Sequence, residues 1–163
     1  DKQGFDSTVL RYGNVYGPRQ DPYGEAGVVA IFSGRMLRGE QVVINGGGEQ
    51  ERDFCFVEDV VEANMLALRQ KAGGTYNLGS GKGTSVNEIF TILKRICGYT
   101  GDPIHGPEKP GEVFKMLLDN KRAGKELGWV PRVSLNQGLR LSVDYFDKGD
   151  PTRGSSRDAT KVD

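Results

Sequence analysis

Short β-branched apolar runs alternate with helical repeats along this chain, and glycine marks most of the junctions between them. That alternation restricts the fold to the α/β class, in which helices cover a largely parallel sheet. Gln41 to Ile44, Phe54 to Val57, Thr75 to Leu78 and Val113 to Leu118 read as strands, and Thr8-Val9-Leu10 reads as a buried one. Val28, Val29, Phe32, Met36 and Leu37 recur at helical spacing up to a stop at Gly39. Asp59 with Glu62 predicts a capped helix whose shared face is Val61, Met65 and Leu68. Ser85 with Glu88 predicts another, with Val86, Ile89, Phe90, Leu93, Ile96 and Cys97 on one side and Gly98 closing it. A short helix is expected from about Lys121 to Leu127, closed by Gly128. A last one begins at Ser134 with Gln137, with Leu135, Leu139, Val143 and Phe146 in line.

The chain carries 22 basic and 22 acidic residues, so charge gives no reason to expect nucleic acid or an anionic membrane as partner. No apolar run reaches the length of a membrane span and no signal peptide opens the chain, which predicts a cytoplasmic location. Cys55 and Cys97 lie inside apolar patterns, the placement of buried free thiols. Residues 1–148 are expected to form the folded part and 149–163 a polar, disordered tail. The start at Asp1, without Met and almost directly into an apolar segment, reads as part of something longer.

Loops that superficially resemble phosphate sites fail their templates. Gly79-Ser80-Gly81-Lys82-Gly83-Thr84-Ser85 lies between a strand and a helix, but Tyr76 occupies the place of the first glycine that curls a P-loop around phosphate. Thr84 stands where a dinucleotide fingerprint needs its third glycine. After Gly46-Gly47-Gly48 no helix begins whose amides could receive an anion. None of the six tyrosines has a lysine four residues later, so a Tyr-Lys acid/base pair is absent. His105, the single histidine, has no nucleophile or partner ligand and reads as a solvated loop residue; neither a hydrolytic triad nor a metal site is expected. Arg52 and Lys109 remain, cations in glycine-rich loops suited to a diphosphate. Pairing of Arg52 with Asp53 or Glu51 at the surface is the plainer reading.

Six stretches occur together in one order: Leu10-Arg11-Tyr12-Gly13-Asn14-Val15-Tyr16-Gly17-Pro18-Arg19, Gly27-Val28-Val29-Ala30-Ile31-Phe32, Arg52-Asp53-Phe54-Cys55-Phe56-Val57-Glu58-Asp59-Val60, Tyr76-Asn77-Leu78-Gly79-Ser80-Gly81, Lys109-Pro110-Gly111-Glu112-Val113 and Leu127-Gly128-Trp129-Val130-Pro131. The series resembles the carboxy-terminal, mainly substrate-binding part of extended short-chain dehydrogenase/reductases acting on nucleotide sugars. The segment from Gly27 is more similar to the UDP-glucose 4-epimerase branch than to the dTDP-glucose 4,6-dehydratases. The resemblance implies a Rossmann-type fold entered at a late strand, a UDP-sugar substrate, NAD as cofactor and a homodimeric full-length protein.

It also implies roles at matching positions. Gly13 would lie by the nicotinamide end of NAD, and Asn14 would hydrogen-bond the nucleotide sugar. Val28 would offer main-chain contact, and Val43, Ile44 and Asn45 would line the base. Arg52 and Lys109 would grip the diphosphate, with Glu112 on the ribose side. Lys109 stands where the family usually has arginine and so lacks a planar fork. The family's NAD loop and Tyr-x-x-x-Lys pair lie upstream of the strand at Val9, and Asp1 to Gly4 resemble the end of the helix bearing that pair. The chain alone is therefore expected to be inactive. A dehydratase, a reductase or a non-catalytic sugar-nucleotide-binding module are the alternatives.

Overall fold

The computed structural model describes residues 7–23, 27–70 and 73–149; the proposed tail beyond Gly149 and the start at Asp1 to Gly4 lie outside the described residues. Thirteen elements follow one another among them. These are β1 (Thr8–Tyr12), β2 (Asn14–Tyr16), α1 (Val28–Leu37), β3 (Val43–Asn45), β4 (Glu51–Phe56) and α2 (Val57–Gln70). Then come β5 (Gly74–Leu78), β6 (Gly83–Ser85), α3 (Val86–Cys97), β7 (Ile104–Gly106), β8 (Lys115–Met116), α4 (Lys121–Leu127) and α5 (Leu135–Asp147). The strands pair parallel in β1–β5, β2–β4, β3–β7 and β4–β8, and antiparallel only in β4–β6. The α/β class is as expected.

Gly13 separates β1 from β2 and changes the partner of the strand. Its amide donates to Leu78 O at 2.9 Å, closing the β5 ladder, and Asn14 then pairs with Phe54 of β4. A side chain at residue 13 would strike the carbonyl of Asp53, so glycine lets the two backbones meet.

β4 divides the interior by strand alternation. Phe54 and Phe56 enter a core built by α1, α3 and α5, where Tyr16 meets their rings edge-on at 6.1 and 5.6 Å. Cys55 enters the opposite core, with Val60, Ala63, Tyr76, Leu78, Leu127 and Trp129. Burial pushes the Cys55 thiol up to about 12, with the nearby Asp59 and Asp53 carboxylates adding to it. Cys97 is pushed up to about 11, first by burial and then by Asp147. Both cysteines are free; Cys55 is buried, as expected, whereas Cys97 is only half-buried.

The capped helices form as the local code dictates. Ser85 Oγ accepts from Glu88 N while the Glu88 carboxylate accepts from Ser85 N, and Gly98 ends α3 in the left-handed region at φ 65°. Ser134 caps α5 and Gly128 closes α4.

Other expectations need correction. α2 begins at Val57, two residues before Asp59, so Asp59 lies in the first turn rather than at the cap. Its buried carboxylate instead accepts from Arg132 N at 3.0 Å and Val133 N at 3.1 Å, while Trp129 donates to its carbonyl at 2.8 Å. The buried face of α2 is Val60, Ala63 and Ala67, whose small side chains allow close approach to the strands; Val61, Met65 and Leu68 face outward. Val9 is half exposed, because β1 has β5 as its only strand partner among the described residues. Only Lys115–Met116 of the stretch from Val113 to Leu118 is strand, with Val113, Phe114 and Leu117 exposed. His105 is in a strand, not a loop. Its Nδ1 lies 2.7 Å from Gly46 O; a carbonyl only accepts, so Nδ1 carries the proton.

Candidate functional site

One cavity of about 400 Å³ opens between α1, β3, β4 and the segment that follows β7. α1 contributes Val28, Ile31, Phe32 and Arg35, spaced as one helical face. Val43, Ile44 and Asn45 of β3 form a second wall with Gln50 beside them. From β4 come Arg52 and Phe54, two residues apart and hence on one side of the strand, with Asn14 opposite Phe54. Val86 closes the α3 side.

Lys109 and Glu112 reach the cavity from a tight turn. Pro110 fixes its second position and Gly111, at φ 76°, its third, while Glu112 N donates to Lys109 O at 3.2 Å. That is the geometry of a type II turn, in which proline pre-sets one angle and glycine takes the positive one. The turn brings an ammonium and a carboxylate to the same cavity.

Arg52 is largely buried, and its donors already have acceptors. Nη2 meets Glu112 Oε1 at 2.9 Å, and Nη1 meets Glu51 O at 2.9 Å and Phe114 O at 3.4 Å. The ion pair therefore runs to Glu112, not to Asp53 or the Glu51 carboxylate, which Lys115 holds at 2.7 Å. With Arg35, Arg52 and Lys109 against Glu112, the cavity has a surplus of positive charge.

Asp53, between Arg52 and Phe54, points to the other side of β4 and is fully buried. Its carboxylate accepts from Ser80 N at 2.6 Å, Ser80 Oγ at 2.7 Å, Gly81 N at 3.1 Å and Leu118 N at 3.1 Å. The glycine loop that resembles a phosphate cradle thus holds a carboxylate of its own chain, and a side chain at Gly79 would strike that carboxylate. The first amides of α3 are spoken for as well, Asn87 N by Gly48 O at 3.0 Å and Glu88 N by Ser85 Oγ at 3.1 Å. Neither place fits the phosphates of a dinucleotide, and the described residues hold no group of three or more metal-ligating side chains.

All eight residues expected to touch a nucleotide sugar, namely Asn14, Val28, Val43, Ile44, Asn45, Arg52, Lys109 and Glu112, meet at this one cavity. Gly13 does not line it. The sequence reading missed Arg35, Gln50, Ile31, Phe32, Phe54 and Val86. For three of them the signal was present: Ile31, Phe32 and Arg35 lie three, four and seven residues after Val28, on its helical face.

Known proteins place this architecture. A model described as the NAD dependent epimerase/dehydratase family matches residues 1–79. The UDP-glucose 4-epimerase of Thermotoga maritima, solved with UDP-glucose, is 56% identical, with a TM-score of 0.83 over 86% of this chain and 46% of that one. The Thermus thermophilus UDP-glucose 4-epimerase, solved with NAD, is 40% identical, with a TM-score of 0.83 over 91% of this chain and 49% of that one. The UDP-glucose 4-epimerase of Mycolicibacterium smegmatis is 43% identical over 143 residues, 87% of this chain and 46% of the relative. The chain thus spans about half the length of these relatives. Fold, cavity and kinship agree: the chain belongs to the NAD-dependent epimerase/dehydratase family, with the Rossmann-type fold of the extended short-chain dehydrogenase/reductases.

Proposed function

We propose that this chain is the UDP-sugar-recognising part of an NAD-dependent 4-epimerase that interconverts UDP-glucose and UDP-galactose. The observation that carries the reading is the meeting of all eight expected substrate residues at one cation-rich cavity. Arg52 and Lys109 take the diphosphate, which a guanidinium fork and a second cation suit by charge and geometry. Glu112 gives up Arg52 to the phosphate and turns to the ribose hydroxyls. Val43, Ile44 and Asn45 receive the base, and Asn14, at the β2 end, donates to the sugar nucleotide.

NAD, when bound, supplies hydride transfer at C4 of the sugar. The glycine loop of this chain is filled by Asp53, so we assign NAD binding and the acid/base pair to the part of the relatives' length that this chain does not span. Gly13, at the β1–β2 junction, is assigned to the nicotinamide end of NAD. In this reading residues 1–148 are one recognition unit, inactive by itself, of a homodimeric protein.

Calorimetry with UDP-glucose on the full-length protein tests the site. Arg52→Ala should weaken binding by roughly 2–4 kcal/mol, about 30- to 1,000-fold, because a desolvated phosphate loses its fork. An unchanged dissociation constant would remove Arg52 from the site. Incubation with UDP-glucose and NAD should yield UDP-galactose; a 4-keto-6-deoxy product would move the protein to the dehydratases.

A further inference from the structure

Arg35 is the cavity cation that no motif singled out, and its surroundings differ from those of Arg38, one turn later. Glu40, the carboxylate beside both, is held by Arg38 with two contacts, Nε–Oε1 at 2.6 Å and Nη2–Oε2 at 2.9 Å. Arg35 instead donates from Nη1 to Gln41 O at 2.8 Å, and no salt bridge among the described residues involves it. The guanidinium is thus tethered at one nitrogen, with further N–H groups on its fork. The tether is to a carbonyl two residues before β3, which places the head beside the wall of Val43 and Ile44. It lies two helical turns, about 10 Å, along α1 from Val28. A cation in a last helical turn is favoured by the helix dipole, but that does not account for its place on the cavity side.

We infer that Arg35 reads the nucleobase, donating a hydrogen bond to the C4 carbonyl oxygen of uracil and so favouring uridine over cytidine nucleotides. Both bases carry a carbonyl at C2, and only uracil carries one at C4. Cytosine carries an amino group at C4, and a donor facing a donor leaves both unpaired, which costs more than a contact merely lost. Arg52 and Lys109 cannot make this distinction, since the diphosphate is the same in both nucleotides.

The inference rests on the UDP-sugar reading above, and the experiment separates the two. Calorimetry on the full-length protein compares UDP-glucose with CDP-glucose, for the wild type, Arg35→Met and Arg52→Ala. Met keeps an unbranched apolar stem and removes every donor. Wild type should prefer UDP-glucose, and Arg35→Met should weaken UDP-glucose by about tenfold while leaving CDP-glucose unchanged or bound more tightly. Equal weakening of both ligands would mean general attraction to the phosphates and overturn the assignment. No effect of Arg35→Met, with Arg52→Ala still weak, would overturn it and leave the UDP-sugar reading standing. A wild type that binds neither ligand ends both. If Arg35→Met does not yield folded protein, Arg35→Gln carries the same comparison with one amide donor retained and a smaller expected loss.

Discussion

A carboxylate buried without a cation has to be repaid in hydrogen bonds, and Asp53 receives four, from Ser80 N, Ser80 Oγ, Gly81 N and Leu118 N. It fastens the glycine loop and the segment after β8 to the strand that carries Arg52. Asp53→Ala should lower unfolding free energy by at least about 3 kcal/mol, because buried amides lose their acceptor. Asp53→Asn, which retains one carbonyl oxygen, should cost less. Urea denaturation of the two variants checks the order, and equal midpoints for wild type and Asp53→Ala would remove the carboxylate from the stability account. At this scale the sequence was partly legible. The glycine loop failed its phosphate templates by residue identity alone, but nothing local pointed to Asp53 as its filling. Arg52 was found through its motif, whereas its partner Glu112, sixty residues away, was assigned only a ligand role. Long-range pairing leaves no local trace.

Helix ends were read from sequence better than helix faces. A cap is satisfied within four residues, so Ser85–Glu88 and Ser134–Gln137 carry their own evidence. Which stripe of a helix is buried depends on what lies against it. In α2 the small residues Ala63 and Ala67 turn inward and the larger Val61, Met65 and Leu68 turn out, reversing the expectation from size and spacing. β8 shrank to two residues because only Glu51 and Arg52 pair with it. α5 offers a sharp test of packing against propensity. Gly138 sits inside this helix, and a side chain there would collide with the Tyr16 hydroxyl and the Phe56 ring. Gly138→Ala should therefore destabilise by roughly 1–3 kcal/mol, although alanine is the better helix former by about 1 kcal/mol. A raised thermal midpoint would show that Tyr16 yields.

On the scale of the whole molecule, the class and the order of elements were legible, because alternating periodicities dictate α/β; the division into two cores on either side of β4 was not. The exposed row of Val61, Met65 and Leu68, with half-exposed Val9 on a strand that has one partner among the described residues, leaves apolar surface and a sheet edge open to association. The 163-residue chain by itself should self-associate with rising concentration. Sedimentation velocity of wild type and a Val61→Lys/Leu68→Lys pair measures it: the charged pair should shift the distribution toward monomer, and a wild type monomeric at every concentration would reject the idea. Gly13 has one more consequence. The stretch from Thr8 to Tyr16 serves two ladders with no loop between them, β1 on β5 and β2 on β4, and its second half begins at the cavity with Asn14. Gly13 alone therefore stands between a residue held in register by β5 and one that lines the cavity.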